Sequence, residues 1–389
     1  MVSVEVPAPE GLVTALLDRV GAPTVPAAAL AVLDPTWPQG MREAATADLA
    51  HASETGRLTG SDIALFTSGS SGSPRAVVRT IDSWRASLTP LSDVTGIRRV
   101  RDASDAGAGL VWAPGPLTSS LFLYGALHAA WCGLPWTTGS PDAPAAQRVT
   151  AAHLVPTQLA DALEAMECGA LPALRTVVVA GAALPGPLRT RAERRGVRVV
   201  EYYGSAELSF VGWRDQAGPY RAFPGAEVRL GEDKVLWARS PYCASSYLDE
   251  RTPGPWRRQG DWHTVGDLAR PDGDGWWLLG RGDTAVSTGG HTVVAAEVEA
   301  VLRDVPGVRD VVVVGLPHER LGEVVVAVVV PDAGHERGLR RRLDDEARAL
   351  PAPARPRRWQ CAAALPLLAS GKVDRRAVIA AAAELDALP

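Results

Sequence analysis

The chain is 389 residues long, 46% hydrophobic and 22% charged, with a formal net charge of −4 and a pI near 6.0. That length is too great for one ordinary core and predicts two or three domains, and the weakly acidic balance excludes a basic nucleic-acid-binding face. No apolar run approaches the roughly 18 residues of a membrane span, and the N-terminal MVSVEVPAPEGLVTALL lacks the basic and long apolar regions of a secretory leader.

In chain order, residues 1–60 read as short helices with Pro-rich joints (APTVPAAALAVLDPTWP). DIALFTSGSSGSPRAVVRT reads as a strand, a loop of small residues and a second strand. RTVVVAGAAL is a buried strand ending in a small-residue turn, PLRTRAERRG a helix closed by Gly196, and VRVVEYYGSAE a strand running into a loop. Strand, helix, strand is α/β organisation, in which ligands bind at the carboxyl ends of the strands.

From residue 219 to 282 the short strands and turns of AEVRLGEDKVLWAR and DWHTVGDLARPDGDGWWLLGRGD predict a small β-rich unit. Beyond Asp283 come a helix (AAEVEAVLRDVPGV), two strands (RDVVVVGLP, EVVVAVVVP), a helix (ERGLRRRLDDEARAL), a strand (PRRWQCAAALP) and a terminal helix (VDRRAVIAAAAEL). The expected fold class is therefore α/β, with a large N-terminal α/β domain (1–282) that includes the β-rich subdomain. A small α+β C-terminal domain (283–389) follows, the boundary lying at Gly282–Thr284. Cys132, Cys168, Cys243 and Cys361 are far apart and form no CxxC pair. They predict neither a zinc site nor a disulfide framework, but buried thiols in a reducing, cytoplasmic setting.

Five stretches carry possible chemistry. TSGSSGSPR, Thr67 to Arg75, has small residues at six of nine positions. Such a loop lets backbone N–H groups and hydroxyls approach phosphate oxygens, although it is not a Walker A loop and by itself is more often a flexible turn. EYYGSAE, Glu201 to Glu207, places an aromatic, a Gly turn and a carboxylate together, which suits stacking on a base and holding Mg²⁺; the plain alternative is a strand end with an exposed acid. Asp267 in HTVGDLA could bridge vicinal ribose hydroxyls, and Arg281 of GRGD could add a further hydrogen bond; the plain alternative is a pair of β-turns. The fifth stretch, LLASGKVDRRAV, holds Lys372. The chain has two lysines, Lys234 and Lys372, among 40 basic residues. A mobile ammonium reaches a single oxygen in a way the planar guanidinium cannot copy.

In this order and spacing the five stretches resemble the adenylate-forming superfamily of acyl- and aryl-CoA ligases, adenylation domains and luciferases, over roughly Asp62 to Val378. The resemblance implies that Thr67, Ser68, Gly69, Ser70, Ser71 and Gly72, with Arg75, hold the ATP phosphates. It implies that Tyr203 lies on the adenine within the motif Tyr203, Gly204, Ser205, Ala206, and that Gly181, Ala182 and Ala183 run along the adenine and acyl pocket. Glu207 would ligate Mg²⁺, Asp267 bind the ribose hydroxyls and Arg281 support them. Asp283 would be the hinge of a mobile C-terminal domain, Lys372 its catalytic cation, and Gly289 and Gly290 would line the approach of the thiol.

Three departures from the pattern stand out. Arg75 replaces the usual Lys, Ala206 replaces a Thr hydroxyl, and the phosphate loop comes unusually early. The early loop, with DTAVSTGGHTVVAAEVEAVL, looks like the short actinobacterial o-succinylbenzoate–CoA ligases.

VWAPGPLTSSLFLYGALHAAW would wall the acyl pocket through Leu117, Ser119 and Tyr124. It offers no Asp to grip an α-ammonium, which disfavours an amino-acid substrate. His128, His153 and His291 are the candidates for holding a second carboxylate of a diacid such as o-succinylbenzoate. The expected activity is ATP-dependent acid–CoA ligation through an acyl-adenylate, on an aryl or a short-to-medium acyl acid, using ATP, Mg²⁺ and CoA or a phosphopantetheine thiol. The alternatives are a stand-alone adenylating enzyme serving an acyl carrier protein or an amine, and a nucleotide-binding protein with lapsed catalysis. A homodimer is left open.

Overall fold

A computed structural model describes residues 3–22, 24–67, 75–98, 109–232, 234–248, 255–281, 285–288, 291–334, 337–368, 373–382 and 384–388. The chain separates into two compact units, one of residues 1–184, 190–229 and 237–265, the other of residues 185–189, 230–236 and 266–389.

The first unit begins with β1 (Ser3–Glu5), α1 (Pro9–Gly21), β2 (Ala28–Val32), α2 (Gln39–Glu54), β3 (Asp62–Thr67), β4 (Arg75–Thr80) and α3 (Ile81–Thr95). It continues with β5 (Leu110–Trp112), α4 (Ser120–Trp131), β6 (Trp136–Thr137), β7 (Val149–Leu154), α5 (Pro156–Glu167), β8 (Thr176–Val179), α6 (Gly186–Arg194), β9 (Arg198–Ser205), β10 (Ser209–Arg214) and β11 (Arg221–Ala222). Then follow β12 (Glu227–Leu230), β13 (Leu236–Arg239), β14 (Ser246–Tyr247), β15 (Arg257–Gln259) and β16 (Trp262–Thr264).

Two large sheets organise these elements, one in the order β1-β2-β3-β4-β14 and one in the order β11-β10-β9-β8-β7-β5-β6. A small sheet, β12-β13-β16-β15, accompanies them. The N-terminal region differs from its sequence expectation. Besides helices it supplies β1 and β2, which run parallel to β3. Ala28–Val32 is a short apolar run without alternation, because both faces of β2 are covered, and such a run cannot be told from a buried helical turn by periodicity. The expected strand–loop–strand around residue 67 is an antiparallel pair with Asp62 opposite Thr80 and Thr67 opposite Arg75.

The core joins the faces of both sheets to α1, α3 and α4, through Leu12, Leu16, Leu30, Ile63, Trp84, Leu88, Leu123, Leu127, Val200 and Phe210. Trp84 is fully buried and stacks on Tyr124 with centroids 4.6 Å apart. The buried Arg79 guanidinium lies 4.7 Å from the Trp84 ring and donates to the Ser83 hydroxyl and carbonyl.

The second unit contains the hairpin β17 (Asp267–Asp272) and β18 (Gly275–Arg281), then β19 (Ala285–Thr288), β20 (His291–Val294), α7 (Ala295–Arg303), β21 (Val308–His318), β22 (Gly322–Pro331), α8 (Leu339–Ala347), β23 (Arg358–Cys361) and α9 (Arg375–Ala381). β21 and β22 form its spine, paired along their whole length, while β19 pairs with β22 at Gly322 and β23 pairs with it at Val326–Val329, both on the edge opposite β21. Their valine runs follow from burial on both faces. Val311, Val313, Val325 and Ala327 pack with α7 and α8, and Val312, Val314, Val326 and Val328 pack with α9.

Candidate active site

Strands β5, β7, β8 and β9 are mutually parallel in the order β5-β7-β8-β9. Their carboxyl ends therefore open on one edge of the sheet. That edge collects Leu117 and Ser119 after β5, Gly181, Ala182 and Ala183 after β8, and Tyr203 to Glu207 at the end of β9. Gly181 has φ +90°, a conformation that suits Gly, and all three residues of its turn are exposed.

Glu207 owes its position to a tight reversal between β9 and β10, where Ser205 pairs with Ser209 and Gly204 with Phe210. A Cβ on Gly204 would lie 1.8 Å from the Ser209 carbonyl oxygen, so only Gly permits this approach. The Ser205 hydroxyl accepts from the Leu208 N–H at 3.1 Å and closes the turn. Tyr203 is half-buried and meets Tyr220 edge-on at 6.3 Å. Below it, the buried Glu201 carboxylate accepts from Arg214 at 2.7 and 3.0 Å and from the Tyr220 hydroxyl at 3.3 Å.

The Glu207 carboxylate is buried, and its Oε1 accepts from the Tyr247 hydroxyl at 2.8 Å. Its backbone carbonyl accepts from Ala244 N–H at 2.7 Å. Among the described residues none donates to its Oε2. Arg75, the first residue of β4 after the Ser- and Gly-rich stretch, is buried with its guanidinium 5.5 Å from the Tyr247 ring centre. Burial, followed by the neighbouring Glu207 charge, pushes the Tyr247 hydroxyl well above its ordinary pKa, so it stays a donor. Ala206 packs its methyl against the Val77, Ala244 and Tyr247 cluster. Ser68 to Gly72 lie outside the described residues, as does the side chain of Thr67.

In the second unit, the antiparallel register sets the buried Asp267 opposite Arg281. The Arg281 side chain lies outside the described residues, as do Asp283, Gly289, Gly290 and Lys372. Residues 369–371 lie outside the described ones as well, but the chain on either side of this gap is anchored. Leu367 bridges to Val373, and Asp374 donates its N–H to the Pro366 carbonyl at 2.8 Å. Asp374 caps α9 by accepting from the N–H groups of Arg376 and Ala377. Arg375 reaches the buried Glu299 carboxylate at 2.5 Å and the Val313 carbonyl at 2.6 Å.

The acyl-wall reading needs correction at its deepest member. Leu117 and Ser119 are half-buried at the start of α4, but Tyr124 is a core residue, stacked on Trp84 with its hydroxyl 3.3 Å from the Ser209 hydroxyl. Two of the histidines proposed for a second carboxylate are likewise core groups. His128 and His153 are fully buried. Burial holds the pKa of His128 down at about 4. Burial and the adjacent His128 hold that of His153 down at about 3. Both are neutral and offer no cation to a diacid. The His128 Nε2 bonds the Ser92 hydroxyl at 2.8 Å, and the His153 ring packs where a Cβ on Gly125 would lie 2.7 Å from its Cγ. The His291 side chain lies outside the described residues.

Sequence reasoning passed over Tyr247, Arg79 and Tyr220, which contact Glu207, Tyr124 and Tyr203 respectively. None sits in a stretch whose local pattern marks a site. A carboxylate oxygen is the donor that Mg²⁺ prefers, and one or two carboxylates suffice when phosphates complete its shell. The Glu207 environment fits that ion. Among the described residues no cluster of three or more His, Cys, Asp and Glu side chains forms a separate metal centre, and no described helix is long and apolar enough to cross a membrane.

Comparison with known proteins supplies the family and the fold. Residues 8–247 match the model of the AMP-binding enzyme family, and residues 297–372 that of the AMP-binding enzyme C-terminal domain. An uncharacterized acyl–CoA ligase, YhfT of Bacillus subtilis, is 29% identical over 80% of this chain and 67% of its own length. A probable 2-succinylbenzoate–CoA ligase of Mycobacterium tuberculosis is 35% identical over 58% of this chain, a stretch that spans 59% of that relative. The crystal structure of ATP-bound MatB from Rhodopseudomonas palustris superposes with a TM-score of 0.77 at 18% identity, covering 98% of this chain and 89% of that one. The fold is that of the adenylate-forming enzymes, with a large N-terminal and a small C-terminal part, and the chain belongs to the AMP-binding enzyme family.

Proposed function

We propose that this chain is an AMP-forming acid–thiol ligase that activates a small carboxylic acid with ATP and passes the acyl group to CoA. The observation that carries the reading is the buried Glu207 carboxylate, held through Oε1 by Tyr247 and with no described residue donating to Oε2, on the sheet edge that also bears Gly181 and Tyr203. The acid's carboxylate attacks the α-phosphorus of ATP, forming the acyl-adenylate and expelling pyrophosphate. Thiol attack on the acyl carbon then breaks the bond to AMP.

In this scheme the loop from Thr67 to Gly72, with Arg75, binds the phosphates. Tyr203 lies against adenine, and Asp267 with Arg281 takes the ribose. Lys372 supplies positive charge to the reacting oxygens, the kind of fixed electrostatic support that dominates such reactions. Mg²⁺ held at Glu207 would offset phosphate charge. The C-terminal domain, residues 283–389, turns at Asp283 between the two half-reactions, so that Gly289 and Gly290 replace Lys372 at the site. The neutral burial of His128 and His153 weakens the case for a diacid held by histidine, and favours an aryl or alkyl acid with one charged end.

The test is pyrophosphate release with ATP, Mg²⁺ and a panel of aryl, alkyl and dicarboxylic acids, with and without CoA, in the wild type and in Glu207→Gln and Lys372→Ala. Turnover that requires one acid and CoA and fails in both variants supports the reading. Acid-dependent release indifferent to CoA moves the acceptor to a carrier protein or an amine. Silence across the panel with ATP still bound overturns it.

A further inference from the structure

Tyr247 belongs to none of the nucleotide motifs, yet it is the described side chain that donates to the Glu207 carboxylate, at 2.8 Å. The two are comparably buried, at 7% and 8% exposure, so water does not compete freely for this hydrogen bond. Tyr247 is in turn fixed on three sides. In β14 it pairs with Val77 of β4, while its neighbours Ser245 and Leu248 donate their N–H groups to Val78 and Ala76. Trp256 packs edge-on against its ring at 5.6 Å, and Arg75 lies over the ring at 5.5 Å. Ala244, three residues upstream, donates to the Glu207 backbone. The segment 244–248 therefore ties the Glu207 turn to the strand on which the phosphate loop ends.

We propose that Tyr247 is a positioning residue for the reaction: its hydroxyl occupies Glu207 Oε1, turns Oε2 toward the metal–nucleotide complex, and couples that carboxylate to the Arg75 end of the phosphate loop. The inference rests on the reading of Glu207 as the metal-holding carboxylate. Without the phenol, the carboxylate keeps its charge but loses the donor that selects its rotamer. The selectivity between the two oxygens is then lost, while binding of the bare nucleotide is untouched.

The experiment compares the wild type with Tyr247→Phe, Glu207→Gln and Tyr242→Phe. The last removes an equally buried tyrosine hydroxyl that bonds the Pro224 carbonyl and not Glu207. Calorimetric affinity for ATP is measured with Mg²⁺ and in its absence, alongside the Mg²⁺ dependence of pyrophosphate release. Tyr247→Phe is expected to raise the half-saturating Mg²⁺ about tenfold and to weaken ATP binding only when Mg²⁺ is present, a size set by the loss of one hydrogen bond to a charged group. Tyr242→Phe should leave both quantities unchanged. A Tyr247→Phe enzyme that behaves as Tyr242→Phe does, while Glu207→Gln still abolishes the Mg²⁺ response, overturns the role of Tyr247 alone. A Glu207→Gln enzyme with an unaltered Mg²⁺ response overturns the metal reading and this inference with it. Equal weakening of ATP binding with and without Mg²⁺ in Tyr247→Phe assigns the tyrosine a general packing role and also overturns it.

Discussion

Acid should destabilise the first unit through two histidines that have no part in the chemistry. His128 and His153 are buried, with Nδ1 of His128 and both ring nitrogens of His153 lacking a hydrogen-bond partner among the described residues. The groups around them are the Ser92 hydroxyl, the Cys132 thiol and the Trp131 ring, none of which carries a negative charge. In the folded chain their pKa values are held at about 4 and about 3, and in the unfolded chain both return to about 6.5.

Protons therefore bind the unfolded state first. The stabilisation is complete above about pH 6.5 and is lost progressively as the pH falls toward the folded values. At about pH 5 the unfolded imidazoles are almost wholly protonated and the folded ones largely neutral. The difference of about 1.5 pH units, at 1.36 kcal/mol per unit, costs about 2 kcal/mol for each histidine and about 4 kcal/mol for the pair. Urea unfolding followed by tryptophan fluorescence, between about pH 8 and about pH 5, reads this loss in the wild type and in the double variant His128→Gln/His153→Leu. The variant should lose about 4 kcal/mol less over that interval. If it loses as much as the wild type, the acid sensitivity lies elsewhere and the reasoning fails.

Glu201→Gln should destabilise the same unit by about 3 kcal/mol, because it leaves the Arg214 guanidinium buried against a neutral amide; a shift in the urea midpoint at neutral pH measures it. Gly204→Ala drives a Cβ into the Ser209 carbonyl. It should open the turn that carries Glu207 and abolish Mg²⁺-dependent nucleotide binding, which calorimetry detects. Lys372→Ala should lower acid-dependent pyrophosphate release by at least about a hundredfold while ATP still binds, a result that separates a catalytic cation from a binding one.

The sequence alone was enough for the family, because its motifs are local, and it nominated a cast for the candidate site. A loop of Ser and Gly suits close approach to a ligand, a tight turn beside Glu207 must contain Gly204, and Lys372, one of two lysines in an arginine-rich chain, stands out by its type. It was also enough for α7, α8, α9 and the strands β21, β22 and β23, where valine runs and amphipathic helices carry clear periods, but it did not mark the short strands β19 and β20. It did not reveal β1 and β2, since a buried strand such as Ala28–Val32 has no alternation once both faces are covered. Nor did it separate pocket from core in α4, where nearly every residue is apolar and only packing places Tyr124 and His128 inside. The partners of the site were decided by the tertiary structure for the same reason. Tyr247 lies 40 residues from Glu207 in the chain and meets it because β14 joins β4 while Ala244 bonds the Glu207 turn. Long-range pairing of this kind is written in the packing of two sheets and leaves no mark in any short stretch of residues.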